Sequence, residues 1–393
     1  MLKVGIDAMS FYTPHYYFDL NHLATLRNQP NQKYREKLGQ DKMAVLAPDE
    51  DVVTMGADAA YPLLKKVDPK DIELLLFATE SAIDQSKAAG IYVHRLLGLS
   101  SRCRVLELKQ ACYSATGGLQ MALSFLKEFP DKKVLLIASD VAKYGLGTLG
   151  ESSQGAAAVA FILSANPRLI EIEPESGFYT EDVMDFWRPN YREEAIVEGK
   201  FSCELYLRVL QKTWEQYKEL SKRDFSDHAR FCYHVPVPRL VETAHQYLLK
   251  INGIREFSEI NCEEQLGAQL LYGRIIGNCY TAALYLSLIS LLENTKEDLS
   301  GKRIGFYSYG SGCTGEFFSG VIKPDYQNRL DLAYHQKLIE ERQALSVEEY
   351  ERFYKFRYPE DGSKLLVSDY KKGYYRLIGM EGHKRLYKSI EDA

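Results

Sequence analysis

The chain has 393 residues, 46% hydrophobic and 26% charged, enough for one large or two ordinary globular domains. Its 49 basic and 54 acidic residues leave a formal charge of −5, so composition gives no basic excess to attract nucleic acid or an anionic membrane. The 7 cysteines (Cys103, Cys112, Cys203, Cys232, Cys262, Cys279 and Cys313) are odd in number, lie far apart and contain no Cys-x-x-Cys pair, which argues against a disulfide framework and a zinc site.

The opening MLKVGIDAMSFYTP carries one early lysine and then Asp7, which suits a first strand at Val4 to Ile6 better than a secretory signal. A cytoplasmic location is expected. ELLLFATE predicts a strand over Glu73 to Thr79 that ends at Glu80, and a helix is expected over Gln85 to Leu97. The strand-like run CRVLELKQ leads to a helix from Cys112 to Phe129, and strands follow at Lys133 to Ser139 and Ala156 to Leu163. From Pro167 to Lys200 the pattern breaks, so residues 166–200 are expected to connect an N-terminal half, 1–165, to a C-terminal half, 201–393. In the second half, helices are predicted at Glu204 to Leu220, Arg239 to Lys250 and Tyr280 to Glu293. Strands are predicted at Phe231 to His234, Ile304 to Tyr309 and Glu316 to Ile322. The alternation indicates an α/β fold with helices covering a largely buried sheet.

The run Tyr280 to Leu292 is apolar nearly all round, interrupted by Thr281, Ser287 and Ser290 but by no charge, so its helix belongs at the centre of a domain. It is too short to span a bilayer, which takes about 20 apolar residues. After Tyr326 the chain turns polar and rich in Tyr, Lys and Glu, with a capping-box helix start at Ser346 to Glu349, and reads as a surface-wrapping tail.

One block occurs twice. ACYSATGGLQMALSFLKEF and NCYTAALYLSLISLLENT each open a helix at a Cys-Tyr pair, and each is followed by a turn and a β-rich run. Two like halves would bring Glu80, Cys112, His234 and Asn278 around one pseudo-twofold axis, an arrangement suited to acyl transfer. Cys112 is either an activated nucleophile at a helix N-terminus, where the dipole lowers a thiol pKa, or a buried inert thiol. Cys279 holds the matching place in the second copy. Glu80, at the end of an apolar strand, is a general base raised by desolvation or a surface carboxylate. His234, followed by prolines, is a carbonyl polariser or a core histidine. Asn278 is an N-cap, a donor to a substrate carbonyl, or both. The glycine-rich YSYGSGCTGEF lacks nucleotide-loop spacing; Ser311 and Gly312 offer a hydroxyl and a backbone N–H to a substrate, or make a tight hairpin.

At these motifs the chain resembles the bacterial-type 3-hydroxy-3-methylglutaryl-CoA synthase family, condensing enzymes of the thiolase fold. The likeness runs through VGID, TES, KQACYSAT, YTEDVMDFWRP, YHVP, GNCYTAALYLSLISLLEN and SYGSG, nearly the whole chain. It implies two similar halves layered α-β-α-β-α around buried central helices. It implies Cys112 as acetyl acceptor, Glu80 as general acid/base and His234 as the residue orienting the acetoacetyl thioester. It further implies substrate contacts from Tyr144, Phe186, Asn278 and Ser311, acetyl-CoA and acetoacetyl-CoA as substrates with no metal or redox cofactor, and a homodimer. The chain departs from the family after YHVP, where lysines usually meet the CoA phosphates: here Arg239 is the only cation before Lys250. KQACYSAT, GSGCTGEFFSG and GHKRLY also resemble relatives that perform β-branching in polyketide assembly on acyl carrier proteins. A thiolase-fold protein that binds acyl thioesters without turnover is the remaining reading, and the joint presence of Glu80, Cys112 and His234 speaks against it.

Overall fold

The computed structural model describes residues 2–254, 259–370 and 372–390, and the side chains of all of these except 259–263; Cys262 therefore lies outside the described side chains. Nine strands form one sheet: β1 (Val4–Tyr12), β2 (Ile72–Ala78), β3 (Arg104–Leu108), β4 (Lys133–Ala142), β5 (Gly155–Ala165), β6 (Ile170–Thr180), β7 (Arg230–Tyr233), β8 (Arg303–Gly310) and β9 (Thr314–Ile322), in the order β7-β8-β9-β6-β1-β5-β4-β2-β3. Apart from β3, an extra strand at one edge, the pairing pattern is mirrored about the β1/β6 boundary. Moving outward from it, β1-β5 and β5-β4 are antiparallel and β4-β2 parallel; β6-β9 and β9-β8 are antiparallel and β8-β7 parallel. The expected duplication is thus built into the sheet, with the halves joined by the antiparallel β1/β6 pairing.

The principal helices are α1 (Val52–Leu64), α2 (Ala89–Leu96), α3 (Ser114–Glu128), α4 (Gly199–Ser221), α5 (Pro238–Ile251), α6 (Glu259–Ile276), α7 (Ala283–Asn294) and α8 (Val347–Lys355). Neighbouring strand residues point to opposite faces. Gly56 of α1 lies against Ile137, while Gly118 of α3 lies against Leu136, so these helices cover opposite faces of β4. α7 is buried along its length from Ala283 to Leu292, as its uninterrupted apolar sequence requires. Among the described residues no helix is long and apolar enough to cross a membrane.

The sequence reading differs from the fold in three places. The segment expected to be only a connection contains β6, a full strand of the central sheet, whose Glu173 is held by Arg223, Arg303 and Ser319. α1 and α6 were not foreseen: α1 is buried on nearly all sides, includes Pro62, and so shows no amphipathic period. The tail does more than wrap the surface. Tyr350 and Phe353 of α8 join Phe18, Leu23 and Met43 in a second apolar cluster, and Tyr387 and Arg385 reach the buried Asp51. Its capping box forms as predicted, with Ser346 Oγ accepting from Glu349 N–H and the Glu349 carboxylate accepting from Ser346 N–H.

Candidate active site

β2 ends at Ala78, and the next two residues turn over the C-terminal end of the sheet. There Asp140, near the end of β4, accepts from Thr79 Oγ1 at 2.9 Å, Glu80 N at 2.8 Å and Ser81 Oγ at 2.8 Å. From the other half it also accepts from Thr281 N at 3.1 Å. The buried carboxylate thereby clamps the Glu80 turn. Cys112 approaches from the opposite side, on a tight turn between β3 and α3 in which Ala111 adopts a left-handed φ of 43°. Its thiol donates to Glu80 Oε1 at 2.8 Å.

This contact sets the electrostatics. Burial, and then the negative charge of Asp140, raise the Glu80 carboxyl from 4.5 to about 8, against the opposing pull of the Cys112 thiol and of Arg188. The Cys112 thiol is pushed well above its ordinary value by burial and by the charges of Glu80 and Asp140. The expectation that the helix N-terminus would lower this pKa does not hold. The first N–H groups of the turn, on Tyr113 and Ser114, are taken by the carbonyls of Gln110 and Ala111, and anionic neighbours dominate. The geometry instead supplies an adjacent base: a thiol hydrogen-bonded to a carboxyl that titrates near neutral pH can lose its proton as it attacks.

Tyr144, Phe186 and Tyr280 pack with Cys112 as an aromatic wall, Phe186 lying 6.2 Å from the Tyr144 ring and 5.7 Å from the Tyr280 ring. His234 follows β7 directly. Its N–H donates to the Tyr307 carbonyl at 2.8 Å, and its own carbonyl accepts from Tyr206 Oη at 2.7 Å. Burial lowers the imidazole to about 3, so it is neutral, and its Nδ1 is buried with no hydrogen-bond partner. A neutral ring with an unsatisfied buried nitrogen suits a group that meets a ligand. Asn278 is buried and caps the turn into α7: its Oδ1 accepts from Tyr280 N at 2.9 Å, so a contact to a substrate carbonyl would come from its Nδ2 amide.

Ser311 and Gly312 lie in the β8–β9 hairpin and line a cleft of about 750 Å³ that also contains Glu80, Phe186 and Arg188. Gly312 N–H donates to the buried Asp185 at 2.9 Å, so the backbone donor expected for a substrate is already committed. Arg239 does not line this cleft. It is exposed on α5, with Nε on the Glu36 carbonyl and its guanidinium paired with Glu242. Among the described residues no cluster of His, Cys, Asp and Glu is arranged to hold a metal.

Cys279 is not the structural counterpart of Cys112. α3 starts at Ser114 and α7 at Ala283; the preceding Tyr113 and Ala282 have matching helical φ and ψ, and Ala111 and Tyr280 share a left-handed φ of 43°. This register pairs Cys112 with Thr281 and leaves Cys279 upstream, fully buried, its thiol raised by burial. The repeated Cys-Tyr pair misleads because a short 3-10 turn, Tyr280–Ala282, shifts the second helix start. Sequence reasoning also missed Asp140 and Arg188. The one ends the apolar run KVLLIASD much as Glu80 ends its own strand, and the other sits in DFWRP.

Two family models match, described as hydroxymethylglutaryl-coenzyme A synthase N terminal over residues 2–167 and C terminal over residues 251–371. The chain is 38% identical to a hydroxymethylglutaryl-CoA synthase of Enterococcus faecalis, over 99% of this chain and 100% of that one. It is 36% identical to a polyketide biosynthesis 3-hydroxy-3-methylglutaryl-ACP synthase, PksG, of Bacillus subtilis, over 90% of this chain and 89% of that one. Among solved structures it is similar to an HMG-CoA synthase complexed with CoA, with a TM-score of 0.93 and 36% identity, covering 99% of this chain and 100% of the other.

Proposed function

The chain belongs to the hydroxymethylglutaryl-CoA synthase family of acyl-transferring condensing enzymes, and from that premise we propose how its own residues condense acetyl-CoA with acetoacetyl-CoA. Cys112 sulfur attacks the acetyl-CoA carbonyl while its proton passes to Glu80, and CoA departs as the thiol. Glu80 as carboxylate then removes a proton from the acetyl methyl. With the N–H groups of Tyr113 and Ser114 already bonded, Cys112's own N–H is the candidate donor to the enolate oxygen. The carbanion attacks the C3 ketone of acetoacetyl-CoA, oriented by neutral His234 and the Asn278 amide, and Glu80 returns a proton to the alkoxide. Water cleaves the Cys112 thioester to give 3-hydroxy-3-methylglutaryl-CoA. Side chains and water account for every proton, so the scheme needs no metal or redox group.

The observation that carries this reading is the 2.8 Å contact between Cys112 and a carboxyl held near pH 8, since a group that both takes and gives a proton works best close to ambient pH. Tyr144, Phe186 and Tyr280 form the wall against the acyl groups. For the CoA phosphates, a candidate group is Arg239 with the helix Lys33–Leu38 it rests against, which carries Lys33, Arg35 and Lys37; phosphate binding there would compete with the pairing of Arg239 to Glu242 and of Arg35 to Asp41. A homodimer fits the sheet edge, because β3 is an outer strand and Leu106 on it and Met121 on α3 are 57% and 59% exposed. A cytoplasmic location accords with this chemistry.

The test is intact-protein mass spectrometry after brief incubation with acetyl-CoA, on the native protein and Cys112→Ala, with peptide mapping. One acetyl group on Cys112, discharged by acetoacetyl-CoA with formation of the branched product, supports the reading. Acetylation only from an acetyl carrier protein would transfer the assignment to the carrier-protein branch that the likeness to PksG represents, and no adduct from either donor would overturn it.

A further inference from the structure

We propose that Arg188 is a carboxylate subsite, which receives the anion formed when the Cys112 thioester is hydrolysed. The proposal rests on the reaction given above and deepens it at its last step. In that step water adds to the acyl carbon, the C–S bond breaks, the sulfur regains a proton and the acid ionises. Before hydrolysis the species on Cys112 is charged only in passing, as the enolate and then the alkoxide, each quenched by the next step, so the product carboxylate is the one lasting negative charge placed there. It forms in a hostile place, because Glu80 touches Cys112 and Asp140 lies behind it. A carboxylate left among these groups without a cation would be strongly disfavoured.

Arg188 is the cation the fold supplies. It follows Phe186–Trp187, a short strand paired with Ile196–Val197, and its Nη2 donates to the backbone carbonyl of Glu80. Its charge is close enough to act on both the Glu80 carboxyl and the Tyr280 hydroxyl. The guanidinium lines the 750 Å³ cleft beside Glu80, and its planar fork carries further N–H donors suited to bidentate binding of a carboxylate. Lys109 and Arg192 line the same cleft, so the path from the site to solvent is favourable to an anion. Other cations of the cleft already have partners: Lys143 and Arg357 pair with Glu193, and Arg385 with Asp51.

The test compares direct calorimetric binding of 3-hydroxy-3-methylglutaryl-CoA and of 3-hydroxy-3-methylbutyryl-CoA, which differ only in the carboxylate, to the native enzyme, Arg188→Gln and Arg188→Lys. In parallel, the rate of Cys112 acetylation by acetyl-CoA is measured, and the acyl state of Cys112 is followed during turnover. The native enzyme should prefer the carboxylate-bearing thioester by about tenfold or more, the loss expected for a charged group left without its partner. Arg188→Gln should lose that preference and accumulate acylated Cys112 during turnover, its hydrolysis falling at least about tenfold further than its acetylation, with Arg188→Lys intermediate. An unchanged preference in Arg188→Gln overturns the proposal. So does an equal fall in acetylation and hydrolysis, which would mean that Arg188 merely holds the Glu80 turn. If the native protein is not acetylated at all, the reaction assignment fails, while the binding comparison still decides the subsite.

Discussion

Thr116 of α3 and Tyr285 of α7 occupy the same position in the two halves of the molecule, and their hydroxyls meet at 2.8 Å. Thr116 also donates to Ser308 of β8, so the pseudo-twofold axis is marked by a buried chain of hydroxyls. Around it the halves have diverged in chemistry. Counting from Lys133 and Arg303, the starts of the equivalent strands β4 and β8, pairs Asp140 with Gly310. By helix register Cys112 pairs with Thr281. One half therefore has Asp140 holding Thr281, and the other has a glycine making room beneath the nucleophile's turn.

Cys279 should be chemically silent. It is fully buried, its thiol is raised, and it lies upstream of the position equivalent to Cys112. Cys279→Ala is expected to keep steady-state turnover within about threefold and to lose roughly 1 kcal/mol of stability for the small cavity created. Acetyl labelling of a Cys112→Ala protein at Cys279 would contradict this.

Glu80→Gln should lower turnover by about a hundred- to ten-thousand-fold, the usual contribution of a proton-transfer residue, and abolish the limb of the pH–rate profile near pH 8. The same change should alter stability in the opposite sense. In the fold Glu80 keeps its proton up to about 8 against an ordinary 4.5, so its contribution is complete below pH 4.5 and is lost as pH rises through 8. Thermal melts of Glu80→Gln should coincide with the native protein near pH 4.5 and rise progressively above it toward pH 8. Parallel melting curves at all pH values would mean that Glu80 is not desolvated.

Much of this site was legible because its residues end strongly periodic strands. The apolar runs ELLLFA, KVLLIA and RFCY sit in the sheet, two of them lead into Glu80 and His234, and Glu80 meets Cys112 directly. What stayed hidden depended on contacts distant in sequence. The function of β6 as the seam between halves is masked by Pro174 and by acidic residues whose partners, Arg223 and Arg303, lie far along the chain. The commitment of the Gly312 N–H to Asp185, and the hold of Arg188 on the Glu80 carbonyl, are likewise tertiary facts. The helix register that separates Cys279 from Thr281 rests on backbone angles that a Cys-Tyr repeat does not encode.

Asp140→Asn should act on the site without touching substrate. The amide keeps one acceptor but turns an NH2 either toward the donors of Thr79, Glu80 and Ser81 on Oδ1 or toward those of Thr281 on Oδ2, at a cost of about 1–3 kcal/mol. Removal of the negative charge behind Glu80 lowers that carboxyl from about 8. The pH–rate limb assigned to Glu80 is therefore expected to move to lower pH. A limb that stays in place would show that burial alone sets the Glu80 pKa.

The tail should matter for stability rather than turnover. Asp51 caps α1 by accepting from Val53 N and Thr54 N, and its other oxygen accepts from Tyr387 Oη at 2.6 Å. Tyr387→Phe removes one of the two donors to that oxygen, leaving Arg385 Nη1 at 3.1 Å, and should cost about 1 kcal/mol in chemical denaturation, with kcat unchanged. A fall in kcat without a change in unfolding midpoint would give the tail a direct part in the reaction.

Gly310→Ala tests whether the nucleophile's turn is braced from the opposite half. A methyl group at Gly310 would stand 2.6 Å from both the Gln110 carbonyl oxygen and the Tyr113 nitrogen, backbone atoms on either side of Cys112 that cannot swing aside as a side chain would. The turn must shift, and the shift falls on the 2.8 Å contact between Cys112 and Glu80. Overpacking of this kind costs about 1–3 kcal/mol, while misplacing a reacting group by roughly 1 Å costs about a hundredfold in rate. Gly310→Ala is therefore expected to fold, melt a few degrees lower and acetylate Cys112 about a hundredfold more slowly. Gly199→Ala, where an added methyl meets nothing within 4 Å, should leave both properties unchanged. Acetylation of Gly310→Ala at the native rate would show that the turn is positioned by its own half alone, and that the second half contributes its aromatic wall and His234 but not the placement of the nucleophile.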